Sequence, residues 1–434
     1  MPCIKRARLR CKATSFCSRR AARRSTCSIR LKIAASSSLR PSEAWEPRPV
    51  LKASNVRSYI ATPPDTLLFF AIASLVGIGV VMIFSASSAT ALLEHHDVAY
   101  YAKRQIVWLA VGLAIAYGAY RIDYHLLKRW APFLLVGSIL SLLLVLVPHV
   151  GMSVNGARRW IGASAVSFQP SEFAKLALVI YLAAMLSARG ERIVSLPKGL
   201  APLCVPVLLM AVLVLKEPDM GTATLLVMIA FAMFFAAGAR LQHLIAIALV
   251  TAPPAILTVL ASPYKRARIF AFINPWRDPQ NTGFHIVQSL LALGSGGLFG
   301  AGLGDSRAKF FYLPEQYTDF IFSVLGEELG LIGAIAVVVL FIVFGYRAIK
   351  IALAAPDRFG FFLAIGCVAT VLIQAFINIG VVTSSWPVTG VPLPFISFGG
   401  SSLIVSLVAV ALIANVGRAR ALRGALDKAQ GDRE

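Results

Sequence analysis

About ten separate runs of apolar residues constrain the fold of this chain more than any other feature of its sequence. A helix that crosses about 30 Å of hydrocarbon needs roughly 17–25 such residues. The runs cover residues 67–88, 104–120, 131–148, 170–187, 200–215, 221–237, 243–262, 321–345, 360–382 and 398–416. Backbone polar groups in lipid must pair within their own segment. The sequence therefore predicts an all-α polytopic membrane protein with about ten transmembrane helices.

The composition agrees with this class and argues against an ordinary soluble domain. The chain is 58% hydrophobic and 14% charged, whereas soluble domains carry about 25% charged residues. The net charge of +22 does not indicate nucleic-acid binding, because 15 of the 42 Lys and Arg precede residue 58. The sequence also lacks the Gly-x-x-x-x-Gly-Lys-Ser/Thr phosphate loop. We expect neither a nucleic-acid partner nor a bound nucleotide.

The basic residues between the runs predict the orientation in the membrane. An even number of spans places both termini on one side, and the short connections on that side contain Arg121, Arg189, Arg240 and Arg347. Short cytoplasmic loops carry an excess of Lys and Arg. Both termini are therefore predicted to be cytoplasmic, with one long extracellular loop between spans 7 and 8.

The chain divides into three segments of different composition. Residues 1–62 form a basic extension that is predicted to be disordered, because it is rich in Arg and Ser and lacks hydrophobic periodicity. It lacks the pattern of a secretory signal peptide and is interpreted either as an organellar transit peptide, which would suit a plastid envelope, or as an upstream start assignment, which we favour. Residues 63–417 are predicted to form one membrane domain, and residues 418–434 a cytoplasmic tail.

The long outer loop, residues 263–320, contains the first candidate for chemistry. It is rich in Gly, aromatic and charged residues, and it ends at Asp319 and Phe320 just before an apolar run. A carboxylate costs about 2.5–3.5 kcal/mol at the centre of a membrane helix on insertion scales. An acid retained at the membrane edge is therefore predicted to be a working group.

The predicted outer face is also unusually basic. Two interpretations stay open, since long loops escape the orientation rule, whereas a cationic mouth would suit an anionic ligand such as phosphate. The basic residues are Lys265, Arg266, Arg268, Arg277, Arg307 and Lys309 in the long loop, and Arg158 and Arg159 in an earlier one.

A second pair of charges lies at the start of the fourth apolar run. Pro170 suits the first turn of a helix, and Glu172 near that N-terminus complements the helix dipole. Glu172 and Lys175 are three residues apart, so they share one helical face. They are interpreted either as an internal ion pair or as a cavity-facing pair below Arg158 and Arg159, because charges within spans usually face protein or water.

Three further segments receive structural interpretations. The turn at residues 216–222 is explained by Pro218 and Gly221, and its charged residues are expected to be solvated. Glu327 and Glu328 are adjacent in a span, so at least one of them should face the protein interior. Residues 386–402 are too rich in proline for a regular helix and are predicted to be a re-entrant segment that lines a cavity.

Eight stretches taken together resemble the SEDS family (shape, elongation, division and sporulation) of bacterial cell-wall polymerases. They occur in family order at residues 158–161, 169–175, 218–222, 281–285, 294–297, 312–320, 326–330 and 392–402. The stretch from Gly302 to Glu315 resembles the division branch, FtsW, or its sporulation relative more than the rod-elongation branch, RodA. Tyr317 departs from the His that is usual in that branch.

The resemblance implies a peptidoglycan glycosyltransferase that polymerises lipid II at the outer face of the bacterial cytoplasmic membrane during division or sporulation. It implies Asp319 as the catalytic base. A Mg²⁺ or Mn²⁺ ion is a further expectation, with its ligands unknown. The substrate-binding candidates are Arg158, Arg159, Glu172, Lys175, Lys309 and Glu315.

The resemblance also implies partners and leaves two rival functions open. Lipid II and an undecaprenyl-diphosphate-linked glycan are the expected substrates. A class B penicillin-binding protein transpeptidase and division proteins are the expected partners. Ten spans with broken helices would equally suit a lipid II flippase, and the tails would suit a non-catalytic divisome scaffold.

Overall fold

The computed structural model describes residues 65–148, 151–154, 157–163, 166–307, 309 and 313–431. The predicted disordered extension at residues 1–62 and the residue Tyr312 lie outside this part of the chain. The α-helices of the described residues are α1 (Thr66–His95), α2 (Tyr100–Arg121), α3 (His125–Leu146), α4 (Pro170–Arg189), α5 (Ala201–Lys216), α6 (Met220–Ala236), α7 (Leu241–Leu260), α8 (Pro263–Ile273), α9 (Phe284–Ser295), α10 (Ile321–Leu353), α11 (Arg358–Val382) and α12 (Gly400–Gly431).

The helices confirm the prediction of a polytopic helical membrane fold. Each predicted apolar run falls on a different helix, from α1 to α7 and from α10 to α12. Within the described part of the chain, seven helical segments are long and apolar enough to cross a membrane. Helix α6 is shorter, at 17 residues, and the total of ten spans stays a prediction.

A small β-sheet between α3 and α4 is an addition that the sequence did not predict. Its antiparallel strands are β1 (Gly151–Val154), β2 (Ala157–Ala163) and β3 (Val166–Phe168), in the order β1-β2-β3. Strand β2 is central, with Ile161 aligned to residues of both neighbours. The sheet fixes the conformation of the connection that carries Arg158 and Arg159.

Part of the long predicted loop is helical. It contains α8, a 3₁₀ turn at Pro275–Arg277 and α9. A glycine-rich stretch follows α9 and packs against α10, where Ala301 N donates to Glu327 O at 2.9 Å and Leu331 N to Gly297 O at 2.9 Å. This packing anchors the loop beside the start of α10.

Helix α10 is interrupted where this stretch crosses it. Gly330 has φ 66° and ψ −169°, which are not helical values. A Cβ on Gly330 would lie 2.4 Å from Gly300 N, and one on Gly300 would lie 2.1 Å from Glu328 O. Only glycine has the backbone freedom and the lack of a side chain that this crossing requires.

The protein core lies around α4 and α11, which are the most buried of the long apolar helices in the described part, at 72% each. Between α11 and α12 the backbone is irregular over residues 383–399. Its apolar side chains Leu393, Phe395 and Ile396 are nevertheless buried. The irregular backbone confirms that this proline-rich segment is not a regular helix up to Phe398, whereas Gly400–Ser402 already belong to α12. We call residues 383–399 the re-entrant segment, and the predicted lining of a cavity stays a prediction.

Candidate functional site

Asp319 lies in a turn directly before α10 and beside the re-entrant segment. Its side chain is half-buried. A Cβ on Gly390 would lie 3.2 Å from Asp319 Oδ2, and Gly390 has φ 71°. The glycine therefore allows the backbone of the re-entrant segment to approach the carboxylate closely.

The surroundings of Asp319 make its carboxyl group a proton acceptor near neutral pH. Burial, which removes water from the carboxylate, raises the pKa of Asp319 to about 7. The nearby Glu315 carboxylate raises it further, and the guanidinium groups of Arg268 and Arg159 lower it. A general base works best when its pKa is close to the working pH.

Arg159 is fixed by backbone carbonyls. It extends from β2, where its Nε donates to Glu217 O at 3.1 Å and its Nη2 to Pro218 O at 2.5 Å. Since neither bond is to a carboxylate, its positive charge is not neutralised by an ion pair with these residues. Arg158 is its neighbour on the strand and is exposed. The register between β1 and β2 shifts at Arg159, which has no residue of β1 aligned to it, so the regular alternation of strand side chains is interrupted there.

The turn that holds Arg159 corrects one sequence-based interpretation. The charged side chains of the turn at residues 216–222 were expected to be solvated, but Glu217 is 0% exposed and Asp219 is 2% exposed. Asp219 caps α6, since its Oδ1 accepts from Thr222 N at 2.9 Å and its Oδ2 from Thr222 Oγ1 at 2.9 Å. The expectation failed because the turn packs under the re-entrant segment, where a Cβ on Gly221 would lie 2.7 Å from Thr389 O.

Glu217 is the least satisfied acid of this turn. Neither of its carboxylate oxygens has a hydrogen-bond partner among the described residues. Burial raises the pKa of Glu217 to about 8, with a further increase from the Asp219 carboxylate and a decrease from Arg159. A buried acid without donors is more stable in its protonated form, so Glu217 is neutral at neutral pH.

Arg268 is a member of the site that sequence reasoning placed only among the loop cations. It lies on α8, and its Nη1 donates to Val388 O at 3.2 Å. It acts on the pKa of Asp319 from this position. The available signal was its place in a basic run, but that run also contains Lys265 and Arg266, and only the fold distinguishes them.

Glu172 and Lys175 form the ion pair that one interpretation proposed. Lys175 Nζ lies 2.8 Å from Glu172 Oε2, and the two side chains are 1% and 3% exposed. Lys175 Nζ also donates to Gln374 Oε1 at 2.6 Å, and Gln374 Nε2 donates to Pro392 O at 2.9 Å. The pair is thus joined to the re-entrant segment through Gln374. Direct contact of either charge with substrate stays a prediction.

Lys309 and Glu315 occupy different surroundings. Lys309 is buried and donates from its Nζ to Gly304 O. Gln316 Nε2 donates to Lys309 O at 3.0 Å. Glu315 is exposed, and its Oε2 accepts from Thr318 Oγ1 at 2.8 Å. Of these two predicted residues, Glu315 acts on the catalytic candidate, because its carboxylate raises the pKa of Asp319.

Tyr317, where the family pattern has His, belongs to an aromatic cluster. Its ring centroid lies 4.6 Å from that of Tyr101 in α2 and 5.9 Å from that of Phe398. Tyr101 also packs edge-on to Phe398 at 5.3 Å. The tyrosine that replaces the family's His is therefore packed against other aromatic rings, two residues before Asp319.

The described residues contain no group of three or more His, Cys, Asp or Glu side chains that could hold a metal ion. A Mg²⁺ site needs fewer protein ligands, because the ion is usually bound through one or two carboxylates and the phosphates of its substrate. Glu315 supplies one exposed carboxylate on the turn before α10. A Mg²⁺ or Mn²⁺ ion at this position stays a prediction.

The family model described as a cell cycle protein, FTSW_RODA_SPOVE, matches residues 66–422. Stage V sporulation protein E of Bacillus subtilis (strain 168) is 45% identical over 357 residues, covering 82% of this chain and 98% of that protein. The chain belongs to the SEDS family. A protein named probable peptidoglycan glycosyltransferase FtsW, from Trichlorobacter lovleyi, is 45% identical over 352 residues, covering 81% of this chain and 92% of the relative.

Solved SEDS structures agree with the fold. A chain from a structure described as "Structural coordination of polymerization and crosslinking by a peptidoglycan synthase complex" aligns with TM-score 0.68 and 31% identity, covering 83% of this chain and 99% of the other. The rod shape determining protein RodA of Thermus thermophilus aligns with TM-score 0.62 and 30% identity, covering 84% and 99%. The predicted likeness of this SEDS chain to the FtsW and sporulation branches is confirmed by the two relatives at 45% identity.

Proposed function

We propose that this SEDS protein is a peptidoglycan glycosyltransferase that polymerises lipid II into glycan strands. The observation that supports this most strongly is the half-buried Asp319 carboxyl against Gly390 of the re-entrant segment, where burial raises its pKa to about 7 and the charges of Arg268 and Arg159 lower it. This combination offers a base for a sugar hydroxyl beside positive charge for a departing phosphate. The relative named probable peptidoglycan glycosyltransferase FtsW supports the same reaction class.

The proposed reaction uses Asp319 as its general base. The carboxylate accepts the proton of the 4-hydroxyl of an incoming lipid II, and the resulting oxygen nucleophile attacks the anomeric carbon of the lipid-linked glycan. The new glycosidic bond forms as the bond to the undecaprenyl diphosphate breaks, and the electron pair leaves on the diphosphate. A positioned base contributes typically about 10²–10⁴-fold to such a step.

The leaving diphosphate is stabilised by fixed positive charge. Arg159 is held by two backbone carbonyls and Arg268 by one, so their guanidinium groups need little rearrangement as charge develops. Arg158, Lys175 and Lys309 are further cationic candidates. Glu315 would hold a Mg²⁺ or Mn²⁺ ion together with the diphosphate, and such an ion supplies additional positive charge when it is bound.

We further propose the bacterial cytoplasmic membrane as the location, with Asp319 on the outer face and both termini in the cytoplasm. The support is the distribution of Lys and Arg between the short loops. A class B penicillin-binding protein is the proposed partner, because the similar chain aligned at TM-score 0.68 comes from a peptidoglycan synthase complex that couples polymerisation to crosslinking. Division proteins are proposed as further partners.

The test is polymerisation of purified lipid II by the purified full chain, with and without the transpeptidase. Glycan strands from the wild-type chain in detergent, and their loss from Asp319→Ala, are the expected results. A chain that moves fluorescent lipid II across vesicles without forming strands would instead be a flippase. A chain that does neither, alone or with the transpeptidase, would be a scaffold, and either outcome contradicts the proposal.

A further inference from the structure

The backbone before α10 is held by an unusual set of hydrogen bonds from one side. Three consecutive carbonyls, those of Tyr317, Thr318 and Asp319, each accept a bond from α11 or from the end of the re-entrant segment. Phe398 N donates to Tyr317 O at 2.9 Å, Ser397 Oγ to Thr318 O at 2.6 Å, and Asn378 Nδ2 to Asp319 O at 2.7 Å. Two of these three donors are side chains.

Asn378 makes the most consequential of these bonds. Its Nδ2 also donates to Val391 O at 2.8 Å, and the residue is 1% exposed. One amide group therefore joins the turn of Asp319 to the part of the re-entrant segment that carries Gly390. Because Gly390 lies against the Asp319 carboxylate, Asn378 fixes two backbones on either side of the same side chain.

Ser397 provides a second bridge of the same kind. Its hydroxyl donates to Thr318 O and accepts from Leu393 N at 2.8 Å. The hydroxyl thus links the turn of Asp319 to a buried turn of the re-entrant segment. Neither Asn378 nor Ser397 needs to touch substrate to affect the position of the carboxylate.

We propose that Asn378, assisted by Ser397, is a positioning residue that holds the catalytic carboxylate of Asp319 against the re-entrant segment. The proposal depends on the proposed function, since it assigns these residues to the same reaction. The geometric reason is that a misplacement of about 1 Å can cost about 10²-fold in rate. Two bridging donors on adjacent carbonyls restrict such movement.

Asn415 offers a matched control in the same protein. Its Nδ2 also donates to two backbone carbonyls, Ala119 O at 2.8 Å and Ile122 O at 2.5 Å, and it is 0% exposed. Those carbonyls belong to the end of α2, away from the turn of Asp319. Removal of either amide costs two buried hydrogen bonds, but only Asn378 is bonded to Asp319.

The experiment compares Asn378→Ala with Asn415→Ala in lipid II polymerisation by the full chain. We expect Asn378→Ala to lower kcat by about 10–100-fold with KM within about threefold, because positioning acts on the chemical step. Asn415→Ala should keep kcat within about threefold of wild type, since it touches no part of the site. Equal losses from both variants, or no loss from Asn378→Ala, would overturn the proposal.

The pH profile supplies a readout that a general loss of stability would not move. Asp319 faces Glu315 on its own turn, Arg268 on α8, Arg159 on β2 and Asp219 at the start of α6. If the turn is released, the carboxylate gains water and its pKa falls, so the acid limb of the rate profile moves to lower pH in Asn378→Ala. An unchanged acid limb would contradict the positioning role.

A second pair of variants covers the case in which Asn378→Ala does not fold. Ser397→Ala removes one donor to Thr318 O, whereas Ser397→Thr keeps the hydroxyl. We expect about tenfold slower turnover in Ser397→Ala and recovery to within about threefold in Ser397→Thr, following the same positional argument. Equal activity of the two variants would count against the proposal.

Hydrogen–deuterium exchange separates failure of this proposal from failure of the proposed function. Amides of residues 313–323 should exchange faster in Asn378→Ala or Ser397→Ala than in wild type and in Asn415→Ala, whether or not the chain polymerises lipid II. Wild-type protein that does not polymerise lipid II would contradict only the proposed function. Unchanged amide exchange of residues 313–323 in the variants would contradict only the positioning role.

Discussion

Two acidic side chains of this protein lie in contrasting surroundings within one helical bundle. Glu172 in α4 is almost completely buried and lies 2.8 Å from the Lys175 ammonium. Asp319 before α10 is half-buried, and the charges of Arg268 and Arg159 lower its pKa. No hydrogen bond to the Asp319 carboxylate from either arginine is present in the described part of the chain.

The contrast separates a charge that supports the fold from a charge that is available for chemistry. In a closely paired buried ion pair, removal of one partner is strongly destabilising, because the other group stays buried without its partner. A half-buried carboxylate without a hydrogen-bonded cation can accept a proton. We therefore assign different consequences to the loss of these two acids.

The largest expected effect is on catalysis and follows substitution of Asp319. Asp319→Ala should lower lipid II polymerisation by about 10²–10⁴-fold, which is the usual contribution of a general base. Thermal unfolding in detergent should stay close to wild type, since no ion pair is broken. The matched control is Asp305→Ala, which removes an exposed carboxylate from the same long loop. A comparable loss of polymerisation in Asp305→Ala would show that the effect is not specific to Asp319.

The next effect is on stability and follows substitution of the paired lysine. Lys175→Met leaves Glu172 as an unpaired buried charge and should destabilise the protein by about 3–5 kcal/mol. The double variant Lys175→Met/Glu172→Gln should recover most of that loss, because neither charge remains. Chemical denaturation in mixed micelles measures the free energy of unfolding of the single and the double variant. Lys350→Met is the control at an exposed position on α10.

The double variant also sharpens the assignment of this pair. A stable double variant that polymerises lipid II at a normal rate would make the pair structural. A stable double variant that has lost activity would support the prediction that Glu172 or Lys175 contacts substrate.

A pH-dependent effect on stability is expected at Glu217. Its carboxyl is neutral in the folded protein up to pH about 8 but ionises near pH 4.5 when unfolded, so unfolding releases a proton between these values. Wild-type stability should fall with rising pH in this window by up to about 1.4 kcal/mol per pH unit from this group. Glu217→Gln removes the effect, so its melting temperature should exceed that of wild type more at pH 8 than at pH 5.

Melting curves across this pH range in one detergent test the Glu217 prediction. Asp305→Asn serves as the exposed control and should track wild type at every pH. A Glu217→Gln variant that is less stable than wild type at pH 8 would show that the ionised carboxylate is stabilised in the folded protein.

The smallest expected effect is a pair of opposite shifts in the pH profile. Glu315→Gln removes a carboxylate that raises the pKa of Asp319, so the acid limb should move to lower pH. Arg268→Gln removes a guanidinium that lowers this pKa, so the limb should move to higher pH. Each change should move the acid limb by less than about one pH unit, because both groups act through partly solvated space. The position of the limb is compared rather than the maximal rate, since Arg268 and Glu315 also have proposed roles toward the diphosphate. Shifts in the same direction would contradict the electrostatic account.

The sequence predicted the helices well because lipid imposes a simple rule on them. Apolar length alone locates a membrane helix, and every predicted run lies on a helix. The sequence predicted Asp319 as the base through its loop position and the family resemblance, and in the structure the charges of Arg268 and Arg159 lower the pKa of this residue. Its catalytic role stays a prediction.

Other parts of the site could not be read from hydropathy. Burial of Glu217 and Asp219 arises from packing under the re-entrant segment, and a hydropathy window does not distinguish a lipid-facing position from one that faces protein. Gln374 and Asn378 did carry a signal. They are polar residues four apart in an apolar run, hence on one helical face, and polar residues within spans usually face the protein interior.

The most direct test of the central claim is the rate of lipid II polymerisation by Asp319→Asn, measured at pH 7 against wild type with equal amounts of folded protein. The asparagine keeps the size of the side chain and removes its ability to accept a proton. We predict a loss of about 10²-fold or more with lipid II binding retained. A rate within a few-fold of wild type would contradict the assignment of Asp319 as the base.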